Sequence, residues 1–245
     1  MGSSRGGRQE SGRQVSGGWV RHDGSPPGIW PRLGLLLLAA LVLLMPAVLP
    51  AGAQAARPLK LVALGDSLTA GYRLPADAAF PAVLERELRK KGHAVTVANA
   101  GVSGDTSTGG LDRVDWSVPD GTDGVILELG ANDMLRGTDP AVTRKALDTI
   151  ITRLKGRGIP VLLAGMRASA NLGPDYVARF DALYPDLAKQ HELVFYPFFL
   201  AGVAGERGLN LDDGLHPNTK GVEAVVAGIL PAVESFLARL GKPER

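Results

Sequence analysis

The chain has 245 residues, of which 21% are charged and 45% hydrophobic, and it contains no cysteine. Such a length needs only one domain and such a mixture is too apolar for disorder, while the missing thiols exclude disulfides, a cysteine nucleophile, thiolate metal sites and the lipid-bearing cysteine of a lipoprotein. The net charge of +2 is uneven: residues 1–55 hold Arg5, Arg8, Arg13, Arg21 and Arg32 against Glu10 and Asp23, or +3, leaving about −1 for the rest and no clustered basic face for nucleic acid.

Residues 1–32 are rich in Gly, Ser and Arg, lack apolar periodicity and read as a disordered basic lead. Residues 33–50 are a nearly unbroken apolar run, followed by the small residues Ala51-Gly52-Ala53-Gln54-Ala55-Ala56. A basic lead, an apolar stretch and an A-x-A site are the three parts of a secretory signal. An uncleaved anchor competes, because the run is close to bilayer-spanning length, but Pro46 and the A-x-A site favour cleavage. Residues 1–56 are therefore assigned to a signal peptide with an extended lead and 57–245 to the folded domain. The expected compartment is the periplasm or the medium, with no stable membrane anchor after cleavage.

From residue 59 the chain alternates between two periodicities. Residues 60–64 (KLVAL), 95–98, 124–129 (GVILEL), 159–164 (IPVLLA) and, weakly, 193–195 have the short apolar character of buried strands. Residues 80–91, 140–155, 175–190 and 218–240 have helical spacing; the first ends at Gly92, and the second opens on Thr138-Asp139-Pro140 and stops at Gly156. Alternation of this kind predicts a three-layer α/β/α domain with a flavodoxin-like, mostly parallel five-stranded sheet.

Ligands of such sheets bind beyond the carboxyl ends of the strands. After the first strand comes Gly65-Asp66-Ser67, after the second residues 99–105, and after the third Gly130-Ala131-Asn132-Asp133; before the last helix comes Asp212-Asp213-Gly214-Leu215-His216-Pro217-Asn218. The polar chemistry thus gathers at one edge.

A hydroxyl nucleophile needs a base, and the base needs an orienting group. Of the histidines after residue 56, His93 sits in a turn and His191 ends a helix, and both read as ordinary surface residues. His216 differs, because Asp213 lies three positions earlier with Gly214 between them to permit a tight bend. The carboxylate can then accept from one imidazole nitrogen while the other points toward Ser67. The plainer reading is that Asp213 caps the last helix. For oxyanion donors the candidates are the Ser67 N–H, a loop glycine (Gly101 or Gly104) and the Asn132 amide, each of which could instead only shape or bridge loops. Asp66 and Asp105 read as loop-organising acceptors.

Gly65-Asp66-Ser67-Leu68-Thr69-Ala70-Gly71-Tyr72, Ser103-Gly104-Asp105, Gly130-Ala131-Asn132-Asp133 and Asp213-Gly214-Leu215-His216-Pro217-Asn218 together resemble the ordered blocks of the GDSL, or SGNH, hydrolases. The resemblance implies a nucleophile at Ser67, a base at His216 held by Asp213, and oxyanion donors at Ser67, Gly104 and Asn132; it is this resemblance that prefers Gly104 over Gly101. Met166-Arg167-Ala168-Ser169-Ala170-Asn171-Leu172-Gly173-Pro174 and Tyr184-Pro185-Asp186-Leu187-Ala188 are similar to stretches of the bacterial periplasmic thioesterase, lysophospholipase and arylesterase group. By that likeness Met166, Arg167, Asn171, Leu172, Gly173 and Pro174 belong to a mobile loop over an acyl groove, shaped by residues 172–176 and 198–209.

The expectation is a monomeric serine esterase or thioesterase that acts on small aryl or acyl substrates through an acyl-Ser67 intermediate, without metal or organic cofactor. Three other readings stand beside it: a carbohydrate O-acetylesterase of the same fold, a metal-dependent hydrolase built on Asp66, Asp133, Asp212, Asp213 and His216, and a non-catalytic binding module.

Overall fold

A computed structural model of the protein describes residues 57–240, so the expected signal segment lies outside the described residues. Five strands form one parallel sheet: β1 (Leu59–Gly65), β2 (Val95–Gly101), β3 (Gly124–Glu128), β4 (Val161–Ala164) and β5 (Val194–Tyr196), in the order β2-β1-β3-β4-β5. This is the expected flavodoxin-like order, whose switch point lies between β1 and β3. The helices among the described residues are α1 (Ser67–Ala70), α2 (Phe80–Lys90), α3 (Ser107–Ser117), α4 (Ala131–Leu135), α5 (Pro140–Gly156), α6 (Pro174–His191) and α7 (Thr219–Leu240). Helix α2 packs with α7, while α3, α5 and α6 pack in a row. Every residue of β3 is buried although its side chains alternate between faces, so the two helix groups cover opposite faces.

Burial on both faces is why β1 and β3 read as continuous apolar runs instead of alternating ones. The register carries the consequence for function. Gly65 pairs with Gly101 and Glu128, Glu128 with Ala164, and Ala164 with Tyr196. The carboxyl ends of all five strands are therefore level, and whatever follows them shares one edge.

Helix α3 has no counterpart in the sequence reading. Its first turn contains Gly109 and Gly110, poor helix formers, and only Ser107, Gly110, Arg113 and Val114 are buried, so the apolar period is faint. Tertiary packing overrides that weakness: a Cβ at Gly109 would lie 2.4 Å from Asp105 Oδ1, and one at Gly110 2.3 Å from Leu129 Cδ1. Thr106 caps the helix by accepting from the Gly109 N–H at 3.2 Å.

Helices α3, α4 and α5 meet at Asp133, which is fully buried. Its carboxylate accepts from the Ser107 N–H at 2.7 Å, the Ser107 hydroxyl at 2.6 Å and the Thr143 hydroxyl at 3.1 Å. Bonds to a charged acceptor are stronger than neutral ones, and deleting the acceptor strands buried donors. Asp133→Ala is expected to lower the unfolding free energy by about 3 kcal/mol, read from urea denaturation; a loss below about 1 kcal/mol would contradict this account.

Candidate active site

Ser67 opens α1 directly after β1, at the switch point, and is 8% exposed. Asp66 makes the turn: its Oδ1 accepts from the Leu68 N–H at 2.9 Å, capping α1. As the first helical residue, Ser67 has no intrahelical acceptor for its own N–H. Gly65 is needed for close approach, since a Cβ there would lie 2.1 Å from Thr69 Oγ1 and 2.6 Å from Glu128 Oε2.

His216 reaches Ser67 from the far end of the chain, with Nε2 2.9 Å from Ser67 Oγ and Nδ1 2.8 Å from Asp213 Oδ2. The loop that presents it is closed on itself by an antiparallel bridge between Asn210 and Pro217 and by donation from the Leu211 N–H to the His216 carbonyl at 2.7 Å. Asp213 Oδ1 accepts from the Leu215 and His216 N–H groups at 2.9 and 3.0 Å. These bonds, that from the His216 N–H foremost, hold the Asp213 carboxyl down at about 2, against an ordinary value of 3.8. The helix cap is a different residue: Asn218 Oδ1 accepts from the Gly221 N–H at 3.0 Å. Asp213 is thus engaged with His216 and does not cap α7. The Tyr72 ring lies against the imidazole, its centroid 4.4 Å away.

The two loop glycines, which local chemistry alone could not separate, have distinct surroundings. Gly101 packs on α1, where a Cβ would lie 2.3 Å from the Ala70 nitrogen. Gly104 has open space around it but a left-handed φ of +86°, and among the described residues no group accepts from its N–H. Asn132 Nδ2 donates to Asp66 Oδ2 at 3.1 Å and to the Asp105 carbonyl at 2.9 Å. Both amide hydrogens are therefore engaged, and an incoming oxyanion would share one of them in a three-centre contact.

Beside Ser67 and His216 opens a cavity of about 360 Å³ lined largely by apolar side chains, among them Leu68, Met134, Leu135, Met166, Phe198, Leu200 and Leu215. Arg167 stands at it with its guanidinium 5.4 Å from the Phe198 ring centre. Of the loop expected to shape the groove, Met166 and Arg167 line the cavity; Asn171, Leu172, Gly173 and Pro174 do not. Residues Ala170–Leu172 instead form a 3₁₀ turn, and Pro174 is the first residue of α6, where its fixed φ and missing N–H suit a helix start. The wall from the 198–209 segment is supplied by Phe198, Leu200, Ala204 and Gly205.

The residues weighed as metal ligands do not converge, and among the described residues no three His, Asp or Glu side chains gather into a cage. Asp133 faces Ser107 and Thr143, Asp66 faces Leu68 and Asn132, and Asp212 is exposed. His93 and His191 are partly buried ties instead of free surface residues, Nε2 of each meeting Glu234 at 3.2 Å and Asp148 at 2.6 Å respectively.

The acid beneath the nucleophile turn is not among the residues that the sequence singles out. Glu128 is 1% exposed, its Oε2 accepting from Thr69 Oγ1 at 2.8 Å and from the Asp66 N–H at 3.4 Å, while its buried Oε1 has no partner. A lone acid in the strand GVILEL was the available signal. Burial, reinforced by the nearby Asp66, pushes the Glu128 carboxyl well up and favours its neutral form. Burial likewise raises Asp66 to about 6.

Residues 63–224 match the model of the GDSL-like Lipase/Acylhydrolase family. An arylesterase of Vibrio mimicus is 40% identical over 184 residues, covering 75% of this chain and 90% of the relative. Thioesterase 1/protease 1/lysophospholipase L1 of Escherichia coli (strain K12) is 41% identical over 166 residues, covering 67% and 78%. Among solved structures, AlinE4, an SGNH-hydrolase family esterase, superposes with a TM-score of 0.63 at 43% identity, covering 74% of this chain and 97% of that one. The chain belongs to the GDSL-like lipase/acylhydrolase family. It is an ester-cleaving hydrolase of the SGNH fold.

A carboxyl whose pKa is raised on folding binds more protons in the folded than in the unfolded chain, so stability falls as pH rises through that window, for Asp66 from 3.8 to about 6. Glu128 adds a second such group. In Glu128→Gln, which still offers Thr69 an acceptor, the fall in Tm between pH 4 and pH 7 is expected to be smaller than in the wild type. Identical Tm-against-pH curves would refute it.

Proposed function

We propose that Ser67 is the nucleophile of an acyl-transfer reaction on carboxylic esters or thioesters. The observation that carries this reading is the chain of contacts from Asp213 through His216 to Ser67, at 2.8 and 2.9 Å. His216 takes the Ser67 proton as Oγ attacks the acyl carbonyl, and Asp213, ionised down to about pH 2, holds the imidazole and balances its positive charge. The Ser67 and Gly104 N–H groups and the Asn132 amide stabilise the oxyanion. His216 then protonates the leaving alcohol or thiol, and the acyl-Ser67 intermediate is hydrolysed by water that His216 activates in turn. Every participating group belongs to one chain, so a monomer suffices.

The apolar cavity of about 360 Å³ beside Ser67 favours acyl substrates with a hydrocarbon tail over acetyl groups on a polysaccharide. The arylesterase, thioesterase and lysophospholipase activities named for the relatives are cleavages of carboxylic esters or thioesters. We also propose export from the cytoplasm, on the basic lead, the apolar run 33–50 and the small residues that follow; N-terminal sequencing of exported protein is expected to place the mature start near Ala56.

Ser67→Ala is expected to reduce release of p-nitrophenol from acyl esters by about 10³-fold or more, with an unchanged Tm; wild-type turnover would refute the assignment. On a graded series of p-nitrophenyl esters, kcat/KM is expected to rise from acetyl to medium chains, and an acetyl optimum would overturn the tail preference.

A further inference from the structure

We propose that Arg113, on α3, is a positioning residue that sets the geometry of all three oxyanion donors; the proposal rests on the acyl-transfer reading above. Arg113 is 6% exposed and spends its guanidinium on the backbone around the site. Nη2 donates to the Gly65 carbonyl at 2.8 Å, two residues before Ser67. Nη1 donates to the Ala100 carbonyl at 2.8 Å, at the end of β2, and to Ser117 Oγ at 3.1 Å. Nε donates to Asp105 Oδ2 at 2.6 Å.

Asp105 is the junction. It directly follows Gly104, its N–H donates to the Val102 carbonyl at 3.1 Å, and its own carbonyl accepts from Asn132 Nδ2 at 2.9 Å. The Val102 N–H closes the loop onto the same Gly65 carbonyl at 3.0 Å. One planar cation therefore joins the strand end that presents Ser67, the loop that presents Gly104 and the residue that holds the Asn132 amide. A lysine ammonium, lacking the fixed fork, cannot reproduce these directions. Gly109 belongs to the same arrangement, because a Cβ there would lie 2.4 Å from Asp105 Oδ1.

A clamp that only stabilised the fold would lower Tm and leave turnover of the folded enzyme intact. A residue that aims the donors acts in the transition state, since misplacement by about 1 Å costs roughly 10²-fold in rate. The test uses Arg113→Lys, Arg113→Met and the milder Asp105→Asn, with Leu154→Ala as a stability control. Leu154 is buried at the opposite edge, its carbonyl accepting from the Ile159 N–H just ahead of β4. In the folded fraction, the Arg113 variants are expected to lose about 10- to 100-fold in kcat with KM within about twofold. The Ki of an aryl trifluoromethyl ketone, whose hemiketal oxygen takes the oxyanion position, is expected to rise by the same factor as kcat/KM falls. Asp105→Asn should move both quantities in the same direction by less, guanidinium ion should restore part of the Arg113→Met activity, and Leu154→Ala should lower Tm alone.

Wild-type kcat in folded Arg113 and Asp105 variants, or an unchanged Ki, would overturn the proposal and leave Arg113 a structural clamp. Full turnover by Ser67→Ala would instead remove the reading on which it rests, so the two failures are distinguishable.

Discussion

The 2.9 Å contact between His216 Nε2 and Ser67 Oγ joins residues 149 positions apart, and most of the local architecture serves to hold its two ends. One end is rigid because β1 is buried and its final glycine lets Thr69 and Glu128 crowd beneath the turn. The other end is rigid because the loop from Asn210 to Pro217 is bridged across its base and followed at once by the Asn218 cap of α7. A hydrogen bond of this kind between distant loops contributes little net stability; its geometry is inherited from the elements that flank it.

The polar groups behind the site are arranged differently from those in it. Asp133 is buried and fully supplied with donors, so it joins three helices. Asp66 is buried with fewer donors and beside a second carboxyl, and burial raises it to about 6. Glu128 lacks any partner for Oε1 and is driven toward its neutral form. Asp66 and Glu128 receive too few donors in return for the water they lose, which disfavours their charged forms, and this pair lies directly under the nucleophile turn.

Much of the fold was legible in periodicity. The strands at 60–64 and 124–129 were readable because both faces are covered, and the helix at 140–155 because Asp139 caps it, accepting from the Ala141 N–H at 2.9 Å. Helix α3 was invisible because its sequence argues against a helix until Asp105 and Leu129 are placed against its glycines. Arg113 was missed for the same reason: a charged residue on an unrecognised helix reads as solvent-facing, whereas here it is buried among backbone carbonyls. Of the loop that resemblance places at the groove, Met166 and Arg167 line the cavity, while Asn171 and Leu172 lie in a 3₁₀ turn and Pro174 opens α6.

The sequence by itself determined the alternation of strand and helix and the edge at which polar residues collect, because each is a matter of spacing along a few consecutive residues; for Asp213 it left a helix cap and a partner for His216 both open. Only the tertiary structure decided that Asp213 turns to His216 and not to the helix, how near His216 comes to Ser67, which glycine packs and which leaves its N–H free, and which residues wall the cavity. All but the first of these depend on the register of β1 with β2 and β3 and on contacts between segments separated by scores of residues. Local spacing does not encode such distances; they arise only when the parallel strands bring their carboxyl ends level.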